Sequence, residues 1–372
     1  MNADWQEFLN DCGAQLDTDT GFVQLVGTTQ GFDLQTATLL TPLNHLGLIA
    51  CSGEEAKIFL QNQLTSDVNA LAVDNAQYSA WCTPKGRVLA SFLVRRSESA
   101  YYLRLSADLI AATLKRLQMF VLRSKVKLAL VSEEYQLFGL AGANAEAALR
   151  AAQLPIPEPA EGSNLNSLRF ANGEVTRLDR SRFEIMIRQD AAIACWQALA
   201  EHARLAGTET WQWLEVEAGI PLITAINTDS FIPQMLNLEK IGGLSFKKGC
   251  YPGQEIVART QYLGKLKRRL YRFHSEQKVL AGDTLYTTAT TLESANSTPN
   301  QAEQANATPV AQQVSCGTVL NAAPAPSGGY VALAVVQESA VTAGGPISLA
   351  EALAENTKAT EATERNLILT LV

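Results

Sequence analysis

The sequence predicts an α+β protein that ends in a small β-barrel. Two observations carry this. Between about residues 47 and 205 strand-like segments and single amphipathic helices succeed one another in the same loose order twice, with no βαβ cadence of a parallel nucleotide-binding sheet. Beyond Leu266 the chain breaks into short strands with Gly/Pro turns, a pattern that suits a small barrel.

In the first unit, Gly47–Cys51 is a short apolar strand. Ser52-Gly53-Glu54-Glu55 has the form of a capping box, opening a helix whose apolar stripe is Ala56, Phe59, Leu60 and Leu64. Ala76–Cys82 and Val88–Arg95 are strands joined by the turn Thr83-Pro84-Lys85-Gly86-Arg87, and Tyr101–Leu105 is a third. A helix over 107–123 buries Leu109, Leu114, Leu117 and Val121, and a strand at Val126–Val131 closes the unit. The second unit reads as a strand at Tyr135–Leu140, a helix at Asn144–Ala152 and a proline-punctuated loop at Pro155–Pro159. Strands at Glu174–Leu178 and Phe183–Ile187 and a helix over Asp190–Leu205 follow. In the last unit the strands are Lys267–Phe273, Asp283–Tyr286, Cys316–Leu320, Tyr330–Val336 and Asn366–Val372. The tract from about Thr287 to Gln313 is Thr/Ala/Asn/Gln/Ser-rich and too poor in large apolar residues to offset its ordering entropy, which predicts a mobile insertion in a hairpin loop.

Bulk properties exclude several classes. The 372 residues are 47% hydrophobic and 18% charged, enough for two or three domains with a real core. A net charge of −7 argues against a nucleic-acid coat or a membrane-surface protein. The acidic N-terminus lacks the basic and apolar regions of a signal peptide, and no apolar run approaches a membrane span, so a cytoplasmic location is expected. The six cysteines form no C-x-x-C pair, and no two of the three histidines stand at metal-ligand spacing, so no protein-only metal site is expected.

The chemistry-bearing stretch runs from Trp211 to Arg272. It holds Glu217-Ala218-Gly219-Ile220-Pro221, then Phe231-Ile232-Pro233-Gln234, then Lys248-Gly249-Cys250-Tyr251-Pro252-Gly253-Gln254-Glu255. These segments, with a weaker likeness at Gln61–Val68, resemble the YgfZ family, relatives of the glycine-cleavage aminomethyltransferase. The resemblance implies an aminomethyltransferase-like folate-binding fold of two interleaved α+β lobes plus the C-terminal barrel. Residues 1–50 with 135–265 would form one lobe, 51–134 the other, and 266–372 the barrel. It also implies a tetrahydrofolate or derivative as cofactor, and a role in supporting iron–sulfur enzymes, including tRNA-modifying ones. Partners would then be iron–sulfur carriers or client enzymes. A one-carbon transferase or demethylase, or a tRNA-binding scaffold, are the competing functions.

A pterin offers a flat face and an edge of adjacent N–H donors, which call for an aromatic platform and a carboxylate. Trp211 and Glu217 are the candidates by matching position, with Tyr251, Gln254 and Arg259 as further cofactor contacts. Cys250, beside Lys247 and Lys248, is the candidate reactive group, Lys248 being the ammonium that would favour its thiolate. From Lys247 to Arg272 there are eight basic residues against one acid, Glu255. Such a run attracts a polyglutamate tail, an acidic protein or tRNA, with Lys265, Lys267, Arg268 and Arg269 as possible tRNA contacts, or else guards a strand edge. Two departures stand out. Where the transferases carry a D-D-L-x-V acid pair this chain has Ala90-Ser91, so aminomethyl transfer is not expected. Where some relatives place a folate-contacting Trp, this chain has Leu46.

Overall fold

The computed structural model describes residues 3–17, 23–25, 33–160, 162, 164–262, 264–291, 310–349 and 367–372. The N-terminal part contains α1 (Ala3–Asp11), β1 (Ala14–Leu16), β2 (Val23–Leu25), β3 (Leu39–Pro42), β4 (Leu46–Ser52) and α2 (Ala56–Gln63). A meander of β5 (Asn75–Cys82), β6 (Val88–Arg96) and β7 (Ala100–Ser106) leads into α3 (Ile110–Gln118) and β8 (Lys127–Leu130). The middle holds β9 (Tyr135–Ala141), α4 (Ala145–Ala151), β10 (Leu165–Phe170), β11 (Gly173–Arg177), β12 (Arg182–Arg188), α5 (Gln189–Ala200), β13 (Arg204–Leu205), α6 (Thr208–Glu217) and α7 (Gln254–Tyr262). The C-terminal part is β14 (Arg268–Ser275), β15 (Thr284–Thr291), β16 (Val310–Pro324), β17 (Tyr330–Gln337), α8 (Glu338–Ala343), β18 (Ile347–Leu349) and β19 (Leu369–Leu371).

The first thirteen strands, β1 and β2 aside, make one sheet in the order β13-β3-β9-β12-β11-β10-β5-β6-β7-β4-β8. Its two halves meet at a seam of only two residue pairs, Leu165–Ala76 and Asn166–Asn75. β4 pairs with β7 and β8, so by pairing it belongs with the 51–134 segment. Between the halves lies a core that includes Leu43, Tyr78, Leu93, Met186 and Trp211. Within the same interior Arg95 Nη2 meets Glu184 Oε1 at 2.6 Å, and Arg104 Nη1 meets Glu215 Oε1 at 3.2 Å, all four side chains being buried. Arginines of β6 and β7 thus cross to carboxylates of β12 and α6, and fix the two halves against each other.

The last six strands form an antiparallel half-barrel in the order β18-β15-β16-β17-β14-β19. The N–H of Leu367 donates to the Ile347 carbonyl (2.8 Å) and draws the two edges together. Together the two architectures make a mixed α+β fold with a barrel-like end, as the periodicity predicts.

Several local expectations need correction. The capping box does not form: α2 has no side-chain cap, and Glu55 Oε2 instead accepts from the N–H of Lys125 (2.5 Å). The helix expected over 107–123 is regular only to Gln118, because Leu122 turns to a left-handed φ of +48°. The helix expected to Leu205 ends at Ala200, since Arg204 and Leu205 pair with Leu39 and Leu40. The hairpin loop predicted at Thr287–Gln313 is strand at both ends, pairing Thr287–Thr291 with Val310–Val314, while residues 292–309 lie outside the described part. Helices α1, α6, α7 and α8 have no counterpart in the periodicity reading.

Candidate functional site

Helix α6 builds the first candidate region. Thr208, Trp211, Leu214 and Glu215 are buried on its inner face. The helix ends in a Schellman turn: Gly219 N–H donates to Val216 O (3.0 Å) and Ile220 N–H to Glu215 O (2.9 Å). This turn needs the left-handed Gly219 (φ +69°), and Pro221 stops any continuation, which is why the sequence there reads E-A-G-I-P. The chain then becomes the wall of a cavity. Leu222 is clamped to the barrel by Asn321, which accepts from its N–H (2.9 Å) and donates to its carbonyl (2.8 Å). A β-bulge between Val319 and Asn321 aims that side chain.

The cavity holds about 510 Å³ between α6 and the barrel. Val216, Ile220, Leu222 and Val279 supply apolar wall, Asp108, Glu209 and Glu215 supply carboxylates, and exposed Lys278 stands at its rim. Glu215, Ile220 and Leu222 also border a small void lined by Ser91, Tyr78 and Arg104, so Glu215 faces both spaces. Ser91 is buried and its Oγ accepts from the Ile223 N–H at 2.9 Å. Position 91 therefore brings a neutral hydroxyl engaged with backbone. His45, also on the cavity, is held down at about pKa 3 by burial and then by the charge of Arg104.

The expected pairing of Trp211 with Glu217 is not found. Six residues apart on a helix, the two side chains diverge by roughly 120°. Trp211 is fully buried and lies flat on β9, where a Cβ on Gly139 would come within 2.3 Å of its ring. Glu217 points outward and pairs with Arg272 at 2.9 Å. Neither lines the cavity or the void. Glu215, four residues from Trp211 and only about 40° away around the axis, is the buried carboxylate that α6 presents inward. The helical period was the signal that would have found it.

A second candidate region, outside the cavity lining, is the Lys248–Glu255 loop. Lys248 is buried, and its Nζ donates to the carbonyls of Gln61 (2.6 Å), Leu64 (2.5 Å) and Ser66 (2.9 Å). Burial pulls its pKa down to about 8. The three acceptors nonetheless suit the three donors of the protonated form. Lys248 is thus an anchor at the C-terminal end of α2, and its ammonium is spent on carbonyls rather than on the thiol two residues on. The Gln61–Val68 segment and the K-G-C-Y loop, about 180 residues apart, are two halves of one lock. Gly253 (φ +83°) completes it, because a Cβ there would strike Thr83 O at 2.5 Å and Gly86 Cα at 2.6 Å.

Cys250 is exposed beside exposed Lys247. Tyr251 is buried, its ring 5.2 Å beneath Lys248 Nζ, and burial raises its pKa. Gln254 is half-buried at the start of α7, and Arg259 is exposed on the same helix. None of these residues lines the cavity or the void. In the basic run Lys265, Lys267 and Arg268 are exposed, but Arg269 is committed to Glu239 and Glu338, each at 3.2 Å. Among the described residues no cluster of His, Cys, Asp and Glu is arranged to hold a metal, and no helix is long and apolar enough to cross a membrane.

Comparison with known proteins assigns the architecture. The GCVT N-terminal domain matches residues 33–243. The chain is 36% identical over 244 residues to the tRNA-modifying protein YgfZ of Colwellia psychrerythraea, covering 64% of this chain and 72% of that one. It is 35% identical over 265 residues to the protein of the same name from Photorhabdus laumondii, covering 68% and 78%. The chain belongs to the YgfZ family. Its fold is that of the glycine cleavage system aminomethyltransferase T from Bartonella henselae, with a TM-score of 0.66 at 19% identity over 90% of this chain and 89% of that one. The Lys248–Glu255 loop is therefore set on an aminomethyltransferase-type fold.

Proposed function

We propose that this chain binds a reduced folate in the cavity between α6 and the barrel and, so loaded, supports the upkeep of cytoplasmic iron–sulfur enzymes, including ones that modify tRNA. The GCVT-type fold, relatives named as tRNA-modifying and a cavity of suitable size and polarity support this. The single observation that carries it is a buried carboxylate, Glu215, at the inner wall of a roughly folate-sized space. A pterin edge presents adjacent N–H donors, and Glu215 accepts from them while Arg104 holds its other side. Val216, Ile220, Leu222 and Val279 cover the ring faces, and Lys278 meets the tail carboxylates at the rim. When bound, a reduced folate carries one-carbon units. Ser91 brings no charge to steer proton transfer, so the proposal stops at binding and does not extend to aminomethyl transfer. Exposed Cys250 and Arg259 form the face that meets iron–sulfur carriers or client enzymes, and Lys248 holds that face in place.

Calorimetric titration with tetrahydrofolate tests the site. Glu215→Gln should bind more weakly by about 1.5–3 kcal/mol, as for a charge-assisted hydrogen bond, while Glu217→Gln should bind nearly as wild type. Leu222→Trp, which fills the cavity and leaves Glu215 in place, should also lose binding. Unchanged affinity in Leu222→Trp, or a loss confined to Glu217→Gln, overturns this placement.

A further inference from the structure

The turn after α3 exposes an unusual group of side chains. Met119 is 68% exposed, Phe120 43% and Leu122 88%, and Ile58 on neighbouring α2 is 61% exposed. The turn is fastened to α2 at two points. Phe120 packs edge-on against Trp81 (6.1 Å between centroids), whose indole N–H donates to Gln63 (3.1 Å), and the Lys125 N–H donates to Glu55. Ile58 lies on α2 between these ties. Leu122 sits at φ +48°, a conformation that disfavours leucine, and its side chain gains no burial in return.

Charge sets the character of this surface. From Leu109 to Ser132 there is no acid, and Lys115, Arg116, Arg123, Lys125 and Lys127 are all exposed, in a chain whose net charge is −7. Lys125 is drawn off to Glu54 at 2.7 Å, and the Arg116 guanidinium lies over the Trp81 ring, 5.6 Å from its centroid. Strand β8, which carries Lys127 and the 48% exposed Leu130, is the open edge of the sheet and extends the patch. The patch also adjoins the Cys250 loop. Gln63, which receives Trp81, lies between Gln61 and Leu64, whose carbonyls hold Lys248.

We propose that the Met119–Lys127 turn with Ile58 is a docking surface for a protein partner, which it meets through a segment whose apolar side chains are bounded by carboxylates. Apolar anchors ringed by basic side chains complement such a segment in both shape and sign. RNA is disfavoured because Met119, Leu122 and Ile58 offer no stacking platform, and the one ring, Phe120, is engaged edge-on with Trp81. A partner seated here is carried toward the exposed thiol.

Fluorescence anisotropy tests this on the full-length protein, with a labelled helical peptide of about 18 residues bearing a Leu/Phe stripe flanked by glutamates, and a twin flanked by lysines. The acidic peptide should bind at least about tenfold tighter than its twin, with the gap narrowing as salt rises. Phe120→Asp combined with Leu122→Asp should abolish that preference. Leu122→Gly relieves the strained backbone and removes the anchor, so it should weaken binding about fivefold or more with no fall in thermal midpoint. Equal binding of the two peptides, or unchanged binding by both variants, overturns the surface. Tighter binding of single-stranded RNA or of anionic vesicles than of the acidic peptide, lost in the same variants, overturns the choice of partner.

Discussion

Helices α2 and α6 both end beside the site, and their last carbonyls are satisfied in different ways. At α6 the solution is mostly local: Gly219 and Ile220 turn back onto Val216 and Glu215 within one turn, and arginines 182 and 272 reach Leu214 and Glu217. At α2 it is remote: a lysine from about 180 residues further on drives its ammonium into the Gln61 carbonyl of the last turn, the C-cap Leu64 carbonyl and the Ser66 carbonyl just beyond. A local cap sets the direction of one side chain, and here it aims Glu215 at the cavity. A remote cap ties two distant segments into one object, and here it holds Cys250 at the surface on a pinned loop. Each helix end therefore turns a routine backbone requirement into the placement of one chemically useful group.

Substitutions that uncouple the two devices should separate their energetic weights. The largest effect is expected at the counter-charge behind Glu215. Arg104→Ala leaves Glu184 and Glu215 without their shared partner in a buried setting, and should cost about 3–5 kcal/mol of stability by urea denaturation. Lys248→Met removes the donor to three carbonyls at once and should cost roughly 2–4 kcal/mol. A cost below about 1 kcal/mol would mean that water replaces the lysine and that the lock is loose.

Acid should reveal the cavity side of the comparison. His45 titrates near 3 when folded against 6.5 when free, so below pH 6.5 the unfolded chain takes up a proton that the folded chain refuses. Its stability contribution is complete above that pH and declines by about 1.4 kcal/mol per unit toward pH 3. The difference in unfolding free energy between wild type and His45→Gln, measured from pH 7 to 4.5, should shrink along that slope. A flat difference would refute a neutral buried imidazole. The smallest effect belongs to the thiol itself: exposed Cys250→Ser should change stability by no more than about 0.5 kcal/mol, two residues from one of the costliest positions. If Cys250→Ser destabilises as much as Lys248→Met, the cysteine is part of the lock rather than its display.

Much of the scaffold was legible from periodicity. The β5–β6–β7 meander, the β9, β11, β12, β14 and β17 strands and the turn at Thr83–Arg87 fall where alternation and turn residues put them, because each is a local pattern. Boundaries that depend on a distant partner went astray. Arg204–Leu205 continues a helical pattern and became strand only because β3 offered an edge, and Ser52–Glu55 spent its carboxylates on Lys125 instead of on its own amides.

The site divides the same way. The sequence alone determined that the Lys248–Gly253 segment turns sharply and bears a thiol, since that outcome follows from the conformational freedom of its glycines. Tertiary structure decided which of Glu215 and Glu217 faces the cavity, that Trp211 is spent on packing against β9, and that Lys248 serves α2 rather than Cys250. Those choices depend on which buried charges and backbone groups find partners across the fold, and partners that far apart in the chain leave no local pattern to read.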